Sequence, residues 1–185
     1  MSKAIIIHGA IGAGKTKTCL ELLRKAKELG IRVEGVVSPR VFEWESLIGY
    51  DCQRVSTGEG FPLVRLKEHA VGSDWFHFGG LKYAFSTGGF ERANDILIRA
   101  SREMTPSTLV FVDEFGRLED KGRGLHRGAS AVASKLAGGG VAVLTCRSDL
   151  VESVCDLLGR GAPDAAVLDA GDAASAWESI RAALG

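Results

Sequence analysis

The sequence has no long hydrophobic run, no excess of either charge and no closely spaced cysteine pair. None of its 185 residues belongs to a stretch approaching the ~20 apolar positions of a membrane span. The apolar run near its start, Ala4 to Ile7, is shorter than the about 7–15 residues of a signal-peptide core. The expectation is a cytoplasmic protein made at its working length, with no membrane partner. Lys and Arg together number 23, and Asp and Glu together also number 23. This balance gives no general field for nucleic acid, so affinity for phosphate has to come from a local site. Cys19, Cys52, Cys146 and Cys155 show no two-residue spacing of a zinc knuckle or redox dithiol. Cys19 and Cys155 fall on apolar faces of predicted helices and Cys146 ends a predicted strand, so all read as small buried hydrophobes in a reducing compartment. His8, His69, His77 and His126 share no metal-ligand spacing.

What is present is glycine, at 24 residues, and a hydrophobic content of 45%, enough for a core without covalent staples. The length fits one domain over residues 1–185. Ala4 to His8 reads as a strand buried on both faces, as in parallel sheets. Cys19, Leu22, Leu23, Ala26 and Leu29 share one face of a helix from Lys15 to Leu29, which Gly30 closes. Ile31 to Val37 is the next strand. Short alternating pieces from Ser38 to Leu66, broken by Gly and Pro, predict β-hairpins at the sheet edge. Lys67 to Gly89 has no clear period, so the insertion of hairpins and irregular chain covers about residues 38–89.

Strand–helix alternation then resumes. Phe90 to Arg102 and Ala129 to Leu136 predict helices; Thr108 to Val112, Val141 to Cys146 and Ala165 to Leu168 predict strands. Asp149 with Glu152 has the spacing of a capping box for a helix that Gly159 ends. Trp177, Ile180 and Leu184 mark a final helix. Such alternation implies a mainly parallel sheet covered on both faces.

Residues Gly9 to Thr16 read GAIGAGKT, the pattern G-x-x-x-x-G-K-[ST], with a strand before it and an amphipathic helix after it. A triphosphate needs several N–H groups converging on its oxygens, and glycines let the backbone curl tightly enough to supply them. The helix N-terminus aims its unpaired N–H groups at the same point. Gly9, Ala10, Ile11, Gly12, Ala13, Gly14, Lys15, Thr16 and Lys17 are the expected nucleotide-binding residues. Lys15 is expected to bridge the β- and γ-phosphates, and Thr16 to bind Mg²⁺ through its hydroxyl.

The second signal is the acid pair in FVDEFGRLE, where four apolar residues run into Asp113 and Glu114. An acid at the C-terminal end of a buried parallel strand lies in the ligand crevice. Asp113 is placed to hold Mg²⁺ through water. Glu114 points in a different direction and can act as general base toward an attacking water.

With both motifs present, the chain resembles the small cancer-related nucleoside-triphosphatase family of P-loop proteins. The likeness also rests on GVVSPR ending at Arg40, IGYDCQRV with Gly49, Tyr50 and Asp51, FGGLKYAFS, and LTCRSD at Leu144 to Asp149. The resemblance implies a three-layer P-loop NTPase with an extra strand between the phosphate-loop and acidic strands. It also implies slow, Mg²⁺-dependent hydrolysis of ATP, GTP and other nucleoside triphosphates. Three departures stand out: Phe115 replaces an aliphatic residue, DKGRGLHRG is unusually basic, and Cys146 stands where the family often has histidine.

Several features carry two readings each. Arg147, after the Val141–Cys146 strand, is a candidate catalytic cation for the γ-phosphate or a surface residue. Thr145 could sense the γ-phosphate. Lys121 with Arg117, Arg123 and Arg127 forms a solvated loop, an arginine lid or a contact for an anionic partner. Trp75, Phe76, Phe78, Tyr83 and Phe85 pack under the insertion or stack on the base. A kinase acting on a small molecule or nucleotide, and a nucleotide-gated switch for an unidentified protein partner, remain alternatives to a hydrolase. Composition leaves a monomer and a weak oligomer equally open.

Overall fold

A computed structural model describes residues 3–185. The strands are β1 (Ala4–His8), β2 (Arg32–Val37), β3 (Arg40–Glu43), β4 (Ser46–Arg54), β5 (Gly60–Leu66), β6 (Trp75–His77), β7 (Tyr83–Ser86), β8 (Thr108–Phe115), β9 (Val141–Cys146) and β10 (Ala166–Asp169). The helices are α1 (Lys15–Glu28), α2 (Thr87–Glu103), α3 (Arg117–Asp120), α4 (His126–Lys135), α5 (Val151–Leu158) and α6 (Ala173–Leu184). All strands join one sheet in the order β10-β1-β9-β8-β2-β4-β5-β7-β6, with β3 paired to β4. β10, β1, β9, β8 and β2 run parallel, and β4 opens an antiparallel extension. β9 lies between the phosphate-loop strand β1 and the acidic strand β8, as the family resemblance implies.

The parallel strands explain the layers. Ala4, Ile5, Ile6 and Ile7 are all fully buried, and successive side chains face opposite sides of the sheet. Ile5, Ile7, Leu109, Phe111, Val141 and Val143 pack with α1 and α6. Ile6, Val110, Val112, Ala142 and Leu144 pack on the other side with α2, α4 and α5. Close strand spacing demands glycine at Gly35, where a Cβ would stand 2.1 Å from the Phe111 carbonyl oxygen.

The expectation of a mainly parallel sheet holds for its core, but the whole sheet is mixed. The antiparallel strands of the insertion continue the same sheet beyond β2. The chain from Lys67 to Gly89, which lacks a legible period, contains β6 and β7. These strands are three and four residues long, too short for alternation to show. α2 starts at Thr87, ahead of the expected Phe90, because the Ser86 hydroxyl caps it by accepting the Gly89 N–H at 2.9 Å.

Two local expectations fail. Asp149 does not cap α5, since its carboxylate receives the Arg147 guanidinium through two bonds of 2.9 and 3.0 Å. Cys155 is exposed, because α5 buries Val154 and Leu158 and leaves Cys155 on the flank of that stripe. Cys19, Cys52 and Cys146 are buried as expected. Among the described residues, no helix is long and apolar enough to cross a membrane.

Candidate active site

The phosphate loop leaves β1 at Gly9 and enters α1 at Lys15. Gly12 and Gly14 have φ of +85° and +95°, left-handed values that L side chains rarely adopt. Gly9 is sterically constrained, since a Cβ there would lie 2.9 Å from the Ala13 Cβ and 3.1 Å from the Ala170 Cβ. The Ala13 N–H donates to the Ala10 carbonyl at 3.1 Å, and the Thr18 N–H to Gly14 at 2.9 Å, starting the helix. Lys15 is buried, and its ammonium donates to the carbonyls of Gly9 and Ala10 at 3.0 Å each. An ammonium has three protons, so the loop satisfies two and orients the group across its own opening.

The acidic strand meets this loop through a distortion. β8 and β9 run in register to Val112 and Leu144, and resume at Phe115 and Cys146. Asp113 and Glu114 therefore oppose Thr145 alone, which is a β-bulge. Glu114 takes φ of +76°, a conformation costing a non-glycine residue about 1–3 kcal/mol. Thr145 stabilises it: its hydroxyl donates to Asp113 Oδ1 at 2.6 Å and accepts the Glu114 N–H at 2.8 Å. Thr145, which by sequence could sense the γ-phosphate, is a buried bracket for the acid pair.

Asp113 is fully buried, and its Oδ2 accepts the Ser38 N–H at 2.9 Å. Burial pushes its carboxyl up from the ordinary range, while Thr145, Ser38, Thr16 and Lys15 oppose that shift. Glu114 is half-buried. Burial, then the Asp113 charge, pushes its carboxyl up to about 7, against the pull of Lys15 and Arg40. Lys15, Thr16, Asp113 and Glu114 thus share one crevice at the ends of β1 and β8.

The donor chemistry suits Mg²⁺, a hard cation that takes oxygen ligands and keeps waters and substrate phosphates in its shell. The Thr16 hydroxyl lies near enough to the Asp113 carboxyl to help hold it down against burial. The described residues contain no group of three or more His, Cys, Asp or Glu side chains able to enclose an ion. One hydroxyl and one carboxylate would leave the remaining coordination positions of such an ion to phosphate and water.

The other cations are distributed unevenly. Arg147 is tied to Asp149, and Lys121 pairs with Asp120. Arg123 stacks over Phe76 and Phe78 at 5.2 and 5.5 Å, and Arg127 reaches Asp95 at 3.3 Å. The basic segment is pinned further by the buried Glu119, whose carboxylate accepts the N–H groups of Gly116 and Leu125 at 2.9 and 2.8 Å. It is a fastened loop, with Arg117 left at the surface. Of the aromatic cluster, Phe76, Phe78, Tyr83 and Phe85 pack in or against the core, where Phe76, Phe85 and Phe90 have ring centres 5.6 to 6.4 Å apart; Trp75 lies outside it, its indole N–H donating to the Val71 carbonyl at 3.1 Å.

Two residues with consequences for the site had no assigned role in the sequence. Glu119 follows Gly116 at capping-box spacing, a signal present in GRLE. Arg40 reaches the phosphate loop from β3, with an Nη2 that would stand 3.6 Å from a Cβ on Gly12. No local pattern signals that second contact, because the two residues meet only through the sheet.

The sequence profile of the NTPase family matches residues 4–160. The nucleoside-triphosphatase THEP1 of Methanopyrus kandleri is 30% identical over 121 residues, 65% of this chain and 62% of that relative. The nucleoside-triphosphatase THEP1 of Methanocaldococcus jannaschii is 28% identical over 120 residues, 64% of this chain and 65% of the relative. In both cases the match spans less than two thirds of the relative's length. The solution structure of a human cancer-related nucleoside triphosphatase has a TM-score of 0.69 at 23% identity, covering 98% of this chain and 96% of that one. The crystal structure of THEP1 from Aquifex aeolicus also gives 0.69, at 22% identity, covering 96% and 98%. At these identities the likeness establishes a common α/β fold with helices on both faces of the sheet.

Proposed function

We propose, for a chain that belongs to the NTPase family, that it hydrolyses nucleoside triphosphates to the diphosphate and orthophosphate with water as acceptor. The observation that carries this reading is the bulge at Asp113 and Glu114. It separates two adjacent carboxyls, leaving one buried beside Thr16 and the other half-buried with its carboxyl raised to about 7. A carboxylate near neutrality is matched to accepting a proton from water at working pH.

The roles divide among the chain's own groups. Backbone N–H groups from Gly9 to Thr16, with Lys17 beside them at the start of α1, form the phosphate cradle. Lys15 turns from the Gly9 and Ala10 carbonyls to the β- and γ-phosphates. Thr16 and Asp113 would hold Mg²⁺, which would neutralise charge on the phosphate oxygens. Glu114 takes one proton from the attacking water as its oxygen bonds to the γ-phosphorus. The bond from that phosphorus to the β,γ-bridging oxygen breaks, and its electron pair leaves with the diphosphate. Arg147 belongs to the same reading as a cation at the crevice rim that must release Asp149 to reach phosphate.

Because the cradle contacts phosphates through backbone, ATP, GTP and other bases are accepted alike. The buried thiols of Cys19, Cys52 and Cys146 support a reducing, cytoplasmic setting. The test is phosphate release from several triphosphates with Mg²⁺ and no added acceptor, for the wild type, Lys15→Ala and Glu114→Gln. Glu114→Gln is expected to bind nucleotide normally and lose about 10²–10⁴-fold in kcat. Wild-type turnover no higher than that of Lys15→Ala would refute hydrolysis.

A further inference from the structure

Arg40 stands two residues after Ser38, which bonds the Asp113 carboxylate. The intervening Pro39 has a ring-fixed φ, and its carbonyl accepts the Asp51 N–H at 3.0 Å. Arg40 itself pairs with Tyr50 in the β3–β4 ladder. Its backbone is therefore held on two sides, by the acidic strand through Ser38 and by β4.

The side chain is held differently. Its guanidinium hangs over Gly12, at the exposed crest of the phosphate loop. Among the described residues, no carboxylate lies within ion-pair distance of it. The other arginines considered at this end of the sheet are already engaged: Arg147 with Asp149, Arg123 with two phenylalanines, Arg127 with Asp95. Arg40 also acts electrostatically on both Glu114 and Tyr50, so its charge falls on the face of the crevice where the general base stands. A fixed backbone carrying an uncommitted planar cation across a phosphate loop is a preorganised anion contact.

We propose that Arg40 is a catalytic residue, an arginine supplied by the same chain that binds the γ-phosphoryl oxygens as phosphoryl transfer proceeds. This rests on the hydrolytic reading above and adds to it a cation that, unlike Arg147, has no carboxylate to release first. In the loose transition state charge spreads over the three equatorial oxygens while the bond to the bridging oxygen lengthens. The guanidinium offers five N–H donors in a flat fork suited to those oxygens, and it exchanges no proton. Water still adds its oxygen to phosphorus, Glu114 still takes the proton, and the bridging oxygen still leaves with the electron pair. Arg40 stabilises the charge in passage.

The experiment compares wild type, Arg40→Ala and Arg40→Lys in kcat, in affinity for a fluorescent nucleoside diphosphate, and in trapping of Mg²⁺–ADP–aluminium fluoride, a mimic of the transferring group. Arg40→Ala is expected to lose about 10²–10³-fold in kcat while diphosphate affinity changes by less than about threefold. Trapping should be lost with it. Arg40→Lys should recover only a minor part, since an ammonium is a point charge without the fork. Its thermal melting reports folding independently if the alanine variant is unstable. A wild type that hydrolyses, beside an Arg40→Ala protein with kcat within about threefold of it and normal trapping, would overturn the Arg40 assignment alone. A wild type without turnover would remove the hydrolytic reading and this residue's role together.

Discussion

Thr145 donates its hydroxyl proton to Asp113 and, with the same oxygen, accepts the Glu114 N–H. One buried oxygen thereby sets the carboxylate beside the expected metal position and the backbone turn that presents Glu114, the proposed general base. Replacing it with valine, close to it in shape, leaves the Glu114 N–H without a partner and deprives Asp113 of its shortest bond. Thr145→Val is expected to cost about 1–3 kcal/mol in urea unfolding. Its kcat should fall at least about tenfold through misplacement of Glu114, whereas Thr145→Ser, which keeps the hydroxyl, should retain most of both.

The raised carboxyl of Glu114 predicts an acidic limb in hydrolysis. Below about pH 7 the group is protonated in the free enzyme and unable to accept a proton from water. A plot of kcat/KM against pH should rise with unit slope to about 7 and then level off. Asp113 lies next to Glu114 and raises it, so the limb belongs to the pair. Asp113→Asn should move it downward, which a pH series on residual activity would measure. A limb that stays in place would assign the titration to another group.

The same shift has a consequence for stability with a definite sign. The folded carboxyl sits near 7 and the unfolded one near its ordinary value of 4.5, so the folded state holds its proton more tightly. Relative to an unshifted group, the penalty is absent below about 4.5, grows as pH rises between the two values and is complete above about 7. Glu114→Gln removes the ionisable group while keeping most of its shape. It is expected to raise Tm by several degrees at pH 8 and to leave it nearly unchanged near pH 4.5, a comparison made by scanning calorimetry in the absence of nucleotide.

Glu119 fastens the segment after the acidic strand, and Gly124 is packed so close to it that a Cβ would lie 2.1 Å from Oε1. Burial raises its carboxyl, and the N–H groups of Leu125 and Gly116 hold it down against that. Glu119→Ala leaves two buried donors open and should cost about 2–4 kcal/mol. Hydrogen exchange at Gly116 and Leu125 should rise selectively. Unchanged protection at both amides would show that the segment is held by its arginines instead.

The parallel half of the molecule was legible because its signals are local. A run of isoleucines buried on both faces, a glycine loop and an amphipathic helix each declare themselves within a dozen residues. Lys15, Thr16, Asp113 and Glu114 followed from motifs of fixed spacing. β6 and β7 were not legible, since three or four residues cannot display alternation and their aromatic content also suits a ligand pocket. Asp149 was misread because a carboxylate two residues from an arginine answers that charge before it answers a helix N-terminus. Cys155 was misread because the helix spans only eight residues, which leaves its buried stripe ill defined. Arg40 ends the family-like GVVSPR stretch, but nothing in its linear context reveals that the start of one strand overhangs a loop 28 positions earlier.

The exposure of Cys155 has a practical side. Its three companions are enclosed, and burial pushes the thiols of Cys52 and Cys146 up to about 12, far from the reactive thiolate. The natural chain therefore presents one sulfur to a thiol-directed dye, on a helix that begins just beyond the Arg147–Asp149 pair. A fluorophore attached there needs no engineered cysteine, and it would report on that end of the sheet when a nucleoside triphosphate and Mg²⁺ are added.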